Sequence, residues 1–245
     1  MLYSLQLYTV RGPLGIDLPG TIARVAGLGY TAVEPYNFVA TADVLAKALK
    51  ENGLSAPSGH APLLRADQDE IFDAARKLGI GTVIDPHVDR AQWNTEEDIK
   101  ATAEALNSAA RKGATYGVRV GYHNHEFELE SRIGGRPALE VLAGHLDPEV
   151  ILEVDTYWAA VGGEDASALL RRLGERVKFM HIKDGPLTKE DKDQVAVGAG
   201  KMPVWDVIKA GTSVEVGVVE LDDFSGDIFD AVAESLEYLK AGQNA

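Results

Sequence analysis

The chain has 245 residues, 45% of them apolar and 25% charged, which is the balance of an ordinary globular protein large enough to bury one substantial core. A formal charge of −14 opposes a nucleic-acid surface, which needs a basic stripe, and the absence of cysteine removes disulfides, thiolate metal sites and cysteine nucleophiles together. No run reaches the roughly 18 apolar residues of a membrane helix. The opening Met1–Val10 has neither a basic region nor a signal-type apolar core, so a cytoplasmic location and no membrane partner are expected.

Short apolar runs alternate with helix-like segments along the whole chain. Strands are predicted at about 2–9, 31–36, 54–60, 81–87, 118–124, 150–156, 177–184 and 214–222. Helices are predicted at about 19–28, 41–52, 67–78, 95–113, 136–145, 165–173, 203–210 and 226–240. Thr95-Glu-Glu-Asp98 and Asp67-Gln-Asp-Glu70 resemble helix starts, Pro203 suits a first helical position, and Gly53 and Gly79 suit left-handed caps. Eight βα units within about 250 residues predict a single (β/α)8 TIM barrel over 1–245 rather than an open sheet. Loops 157–164 and 185–202 are the longest and are placed to cover a pocket.

The runs end near Gln6, Glu34, His60, His87, His123, Asp155, His181 and Glu220, and five of the six histidines lie on them, His145 being the exception. In a barrel of this kind all C-terminal strand ends meet at the active face. Residues two apart share a strand face, which pairs Glu34 with Tyr36, Asp85 with His87, His123 with His125, Glu153 with Asp155, His181 with Lys183 and Glu220 with Asp222 on an inward face. Arg119 also takes the inward parity and fits that pattern poorly.

His123, Asp155, His181 and Glu220 offer two imidazoles and two carboxylates, a donor set suited to Mn²⁺, Mg²⁺, Co²⁺ or Zn²⁺, with Mn²⁺ the first choice; a metal-free polar cluster is the alternative. Lys183 suits a substrate oxygen or phosphate, or else a salt bridge to a strand-end carboxylate. Glu34, His60 and His87 suit substrate hydroxyls, or else lock loops as buried polar groups. Trp158, beside Tyr157, suits the apolar face of a sugar, though aromatics after a strand more often pack. Glu153 is expected one layer below Asp155, as a supporting carboxylate. Gly198-Ala-Gly-Lys201 lacks the spacing of a phosphate loop, Pro57-Ser-Gly59 lacks the first glycine of a nucleophile elbow, and there is no His-Glu-x-x-His.

Tyr3-Ser-Leu-Gln-Leu-Tyr-Thr9, Gly121-Tyr-His-Asn-His-Glu-Phe-Glu128, Glu153-Val-Asp-Thr-Tyr-Trp158, His181-Ile-Lys-Asp-Gly185 and Val219-Glu-Leu-Asp222 resemble, in order, the sugar phosphate isomerase/epimerase family of the xylose isomerase-like barrels. The resemblance implies a divalent metal held by Glu, Asp, His and Glu from the last four strands, and Asp155, His181 and Glu220 match the last three. His123 stands where relatives carry the first glutamate, and Trp158 stands where several carry histidine. The resemblance further implies a metal-dependent isomerase or epimerase acting on a small keto-sugar or polyol through an enediolate, with Glu220 as base, His125 or His123 as proton donor, and Lys183 holding substrate oxygens. A dehydratase or keto-glycoside-cleaving lyase is the nearest alternative. A DNA-repair endonuclease and a non-catalytic sugar-binding barrel are further ones. Self-association into a homo-oligomer is left open.

Overall fold

A computed structural model describes residues 1–243; the last two residues of the 1–245 span, Asn244 and Ala245, lie outside the described residues. Eight parallel strands form one sheet: β1 Leu2–Gln6, β2 Val33–Glu34, β3 Ser58–His60, β4 Thr82–Asp85, β5 Arg119–His123, β6 Ile151–Asp155, β7 Val177–Ile182 and β8 Val216–Val219. The spatial order is β2-β1-β8-β7-β6-β5-β4-β3. Parallel bridges Ala32↔Ser55 and Tyr36↔His60 join the two ends. His60 N donates to Pro35 O at 2.8 Å and Val33 N to Ser55 O at 2.9 Å across that seam. The sheet therefore curls into a nearly closed (β/α)8 TIM barrel, as the alternating pattern predicts.

Eight helices cover the outside: α1 Leu18–Gly27, α2 Ala42–Glu51, α3 Gln68–Leu78, α4 Glu96–Tyr116, α5 Ala138–His145, α6 Ala166–Leu173, α7 Val204–Ala210 and α8 Ile228–Gln243. Local chemistry sets their ends. Asp67 accepts from the backbone N–H groups of Asp69 and Glu70 at the start of α3, and Gly79 ends it with φ 73°. Thr95 accepts from Asp98 N at 3.2 Å, but the Asp98 carboxylate takes the Thr95 hydroxyl rather than a backbone N–H, because aspartate is one methylene shorter than the usual glutamate.

Besides shorter strands, at Val33–Glu34, Ser58–His60 and Val216–Val219, and Pro203 as the N-cap rather than the first residue of its helix, the sequence reading departs from the structure as follows. Strand one stops at Gln6 instead of residue 9; Leu7–Val10 is a 3₁₀ turn, followed by a helix at Arg11–Ile16. The Gln6 side chain accepts from Tyr8 N and starts that turn, while Leu7, Thr9 and Val10 stay buried, so their strand-like composition reflects burial alone. The 157–164 loop is largely helical over Thr156–Val161, capped by Asp155. After β5 come a short helix, Phe127–Glu130, and a hairpin, Arg132–Ile133 with Arg136–Pro137, turned by left-handed Gly134 and Gly135. The Gly-Gly pair was its available signal. Finally, Asp85 is not an inward residue. It accepts from Leu64 N and His87 N, while Ile84 joins Ile151, Phe179, Val216 and Val218 in a small apolar cluster of its own inside the barrel.

Arg119 lies at the opposite end of β5 from the site. Its guanidinium bonds Thr82 and both Glu215 carboxylate oxygens and lies over the Phe179 ring, closing the barrel floor. Gly121, between Arg119 and His123, is required by space: a Cβ there would meet Ile151 Cδ1 at 2.6 Å. The register of β6 on β7 slips between Leu152 and Glu153, pairing Leu152 with Val177 but Glu153 with Phe179. This bulge leaves Val177 in the outer core and turns Phe179 inward, which sets His181 and Lys183 on the inner face above it.

The 185–202 segment is pinned by one side chain. Asp184 accepts from the backbone N–H groups of Gly185, Gly198, Gly200 and Met202 at 2.8–3.1 Å. Replacing Asp184 by Ala removes four bonds to a charged acceptor, and a loss of about 3 kcal/mol is expected, with faster proteolysis inside 185–202. Urea melts and limited digestion measure both effects.

Candidate functional site

The C-terminal ends of the strands converge on a cavity of about 530 Å³, walled by Tyr8, Tyr36, Phe127 and Trp158 and floored in part by His60, His123, His125 and Glu220. His87 also lines it, in edge contact with His125 at 5.6 Å between ring centroids. All five strand-end histidines thus reach one end of the barrel, while His145 pairs with Glu96 on the outside. From the 185–202 segment, Lys189 and Asp191 reach the cavity. Glu34 and Lys183, expected to touch substrate, lie beneath the cavity wall and are absent from its lining.

The floor is a buried charge cluster. Glu153 Oε2 lies 2.6 Å from His60 Nε2, 3.0 Å from His123 Nδ1 and 3.1 Å from His181 Nε2. Glu34 Oε1 lies 3.1 Å from His60 Nε2 and 2.9 Å from His181 Nε2, and accepts from Gln6 Nε2 at 2.8 Å. Ser58 donates to the other Glu34 oxygen. His181 Nδ1 meets Glu220 Oε2 at 2.7 Å. Lys183, 1% exposed, places Nζ 3.0 Å from Asp155 Oδ2, 2.7 Å from Glu220 Oε2 and 2.7 Å from Asp222 Oδ2. Asp222 also accepts from Trp158 Nε1 and Gln194 Nε2.

The predicted set His123, Asp155, His181 and Glu220 does come together, with one ligand atom from each within 4.8 Å of the others. A second set, His60, His123, Glu153 and His181, meets the same limit. Sequence reasoning gave Glu153 and His60 no part in metal binding; the inward parity of Glu153 with Asp155 was the signal for the former. Gln6, Ser58 and Gln194, which orient the carboxylates, carry no signal short of the fold. Two buried carboxylate oxygens have no hydrogen-bond partner, Asp155 Oδ2 in the first set and Glu153 Oε1 in the second. With three imidazoles beside Glu153, this donor set fits a divalent ion.

Burial and neighbours divide the protonation states. Burial would push His60 and His181 down, but the carboxylates outweigh it and raise both. Burial lowers His123 to about 3, helped by His181, and lowers His125 well below its ordinary value, helped by His123 and Lys183. Both imidazoles are therefore uncharged at neutral pH. Burial raises Asp155 to about 6 despite Lys183. Glu220 is held well below the usual carboxylate range, because Lys183 and His181 overcome the effect of burial.

Glu128 lies behind His125. It accepts from Tyr122 Oη at 2.6 Å and from His125 N at 2.9 Å, which fixes the backbone of His125. Burial raises it from 4.5 to about 8, so it is a neutral acid at pH 7. A group raised on folding stabilises fully below its unfolded value and loses that contribution as pH climbs through the folded one, here from 4.5 to about 8. The stability of the wild type relative to Glu128→Gln should therefore fall by about a few kcal/mol between pH 4.5 and pH 8, read from denaturant melts of both proteins.

The architecture and motifs have counterparts among known proteins. An inosose dehydratase of Clostridium tetani (strain Massachusetts / E88) is 28% identical over 142 residues, covering 58% of this chain and only 45% of that relative's length. Two crystal structures share the fold. A sugar phosphate isomerase/epimerase from Parabacteroides distasonis ATCC 8503 has a TM-score of 0.84 at 24% identity, covering 98% of this chain and 93% of its own. A "probable 3-DHS dehydratase" of Bacillus anthracis, involved in petrobactin synthesis, has a TM-score of 0.76 at 14% identity, covering 98% and 99%. A family model described as a xylose isomerase-like TIM barrel matches residues 22–241, and the chain belongs to that family.

Proposed function

We propose that the chain is a metal-dependent dehydratase of a small keto-polyol or keto-sugar. The observation that carries this reading is the pairing of chemistries on the cavity floor: an uncharged His125 whose Nδ1 has no hydrogen-bond partner, beside an ion-paired carboxylate, Glu220. Likeness to an inosose dehydratase supports the same direction.

His125 takes the proton from the carbon next to the substrate carbonyl, and the resulting imidazolium returns it to the β-hydroxyl. The C–O bond breaks, water leaves, and a C=C bond forms in conjugation with the carbonyl. An imidazole that is neutral before the step and protonated after it serves as both base and acid. Glu220 is occupied by its ion pairs with Lys183 and His181; it fixes His181 and presents a negative edge to substrate hydroxyls. Trp158, held by its N–H to Asp222, and Tyr36 face the apolar side of the ring. A divalent ion held by His123 and His181, with His60 and Glu153 or with Asp155 and Glu220, would supply Lewis-acid polarisation of the carbonyl.

An isomerase or epimerase shares the first step and differs only in where the proton returns; the Parabacteroides distasonis structure keeps this second reading in play. Its weakness is His123, where the resemblance implies a carboxylate. A panel of inososes and keto-sugars decides between them. Loss of one water, with enone absorbance, is expected. Products of unchanged mass carrying solvent deuterium at the α-carbon would establish the isomerase instead, and neither product from any substrate would remove both. His125→Gln should lower kcat by roughly 10²–10⁴-fold with a much smaller change in KM. Glu220→Gln should retain part of the α-proton exchange.

A further inference from the structure

Two ligand sets overlap at His123 and His181, and the surrounding charges distinguish them. Asp155 Oδ2 and Glu220 Oε2 already hold the Lys183 ammonium, at 3.0 and 2.7 Å. Lys183 is fully enclosed, so a metal drawing on those two carboxylates would leave a buried ammonium short of partners. On the other side of His181 the carboxylates face imidazoles instead, with Glu34 Oε1 also 3.1 and 2.9 Å from His60 Nε2 and His181 Nε2. There, three imidazole nitrogens from β3, β5 and β7 converge on Glu153 Oε2, from β6, at 2.6–3.1 Å.

That convergence is poor as hydrogen bonding alone. His60 Nε2 and His123 Nδ1 take up the two lone-pair sites of Oε2, His181 Nε2 crowds it as a third, ionic contact at 3.1 Å, and Oε1, equally buried, receives none. The contacts are somewhat shorter than the roughly 3.3 Å ligand–ligand edges of a tetrahedral site with bonds of about 2.0–2.1 Å, so a small outward movement opens the centre. The His60 and His181 rings are stacked with planes 1° apart, and His123 is tilted 60° to each.

Resting on the metal-dependent reading above, we propose that the ion is held by His60, His123, Glu153 and His181, with Zn²⁺ preferred over Mn²⁺, and that Lys183 is the resident cation of Asp155, Glu220 and Asp222. Three nitrogens and one oxygen suit a borderline ion better than a hard one. Glu34, beside His60 and His181 and anchored by Gln6 and Ser58, is a neighbouring carboxylate that offsets the ion's charge.

The test uses the full chain and Zn²⁺ alone. X-ray absorption of the one-to-one Zn²⁺ protein should show three imidazoles in the coordination shell; two imidazoles would overturn the assignment, and this measurement needs no variant. Chelator competition should show His60→Gln and Glu153→Gln weakening Zn²⁺ by at least about tenfold, and Asp155→Asn by clearly less. The reverse order would overturn this inference while leaving a metal-dependent enzyme intact. Failure of the wild type to bind Zn²⁺, Co²⁺ or Mn²⁺ would overturn both this inference and the metal in the proposed function.

Discussion

A single buried ammonium ties the active end together. Lys183 Nζ meets Asp155, Glu220 and Asp222, and each of these carboxylates does something further. Asp155 caps the helix that carries Trp158, Glu220 orients His181, and Asp222 receives the indole N–H of Trp158 and the amide of Gln194 from the long loop after β7. Strands, capped helix and loop are therefore joined through one charge. Without it, three carboxylates close together in a low-dielectric interior would have to take up protons or separate.

The cluster beneath it follows the same logic with imidazoles in place of the ammonium. Glu34 and Glu153 share His60 and His181, and the two charge groups meet at His181, which faces Glu34 and Glu153 through Nε2 and Glu220 through Nδ1. That histidine is the hinge between a cationic site built into the chain and a nitrogen-rich site suited to an added cation. Under the proposed ligand assignment, the histidine at position 123 is a nitrogen donor to the imidazole group rather than a copy of a carboxylate.

Above the floor the site changes character. Aromatic walls and neutral imidazoles take over, and His125 is positioned from behind by Glu128, a carboxyl kept neutral by burial. An uncharged base next to an ion-paired carboxylate is an asymmetric arrangement. In the dehydratase proposed above, it would take a proton from carbon and hand it to a departing hydroxyl.

The eight βα units, nearly every covering helix and the meeting of the strand ends were legible in the sequence, because period-two and period-3.6 burial and cap chemistry are local properties of the chain. So was the convergence of His123, Asp155, His181 and Glu220, since parity on regular strands carries each residue to the inner face. Tertiary structure decided the rest. The β6–β7 slip, which puts Val177 and Phe179 on different faces, depends on the neighbouring strand and leaves no mark in the sequence. Asp85 faces outward, where it accepts from Leu64 N and His87 N, and its strand neighbour Ile84 takes the place in the barrel interior. Whether Lys183 would meet substrate or carboxylates, and how many imidazoles would surround Glu153, rested on distances between strands far apart in the chain, where burial makes the nearest opposite charge the decisive partner.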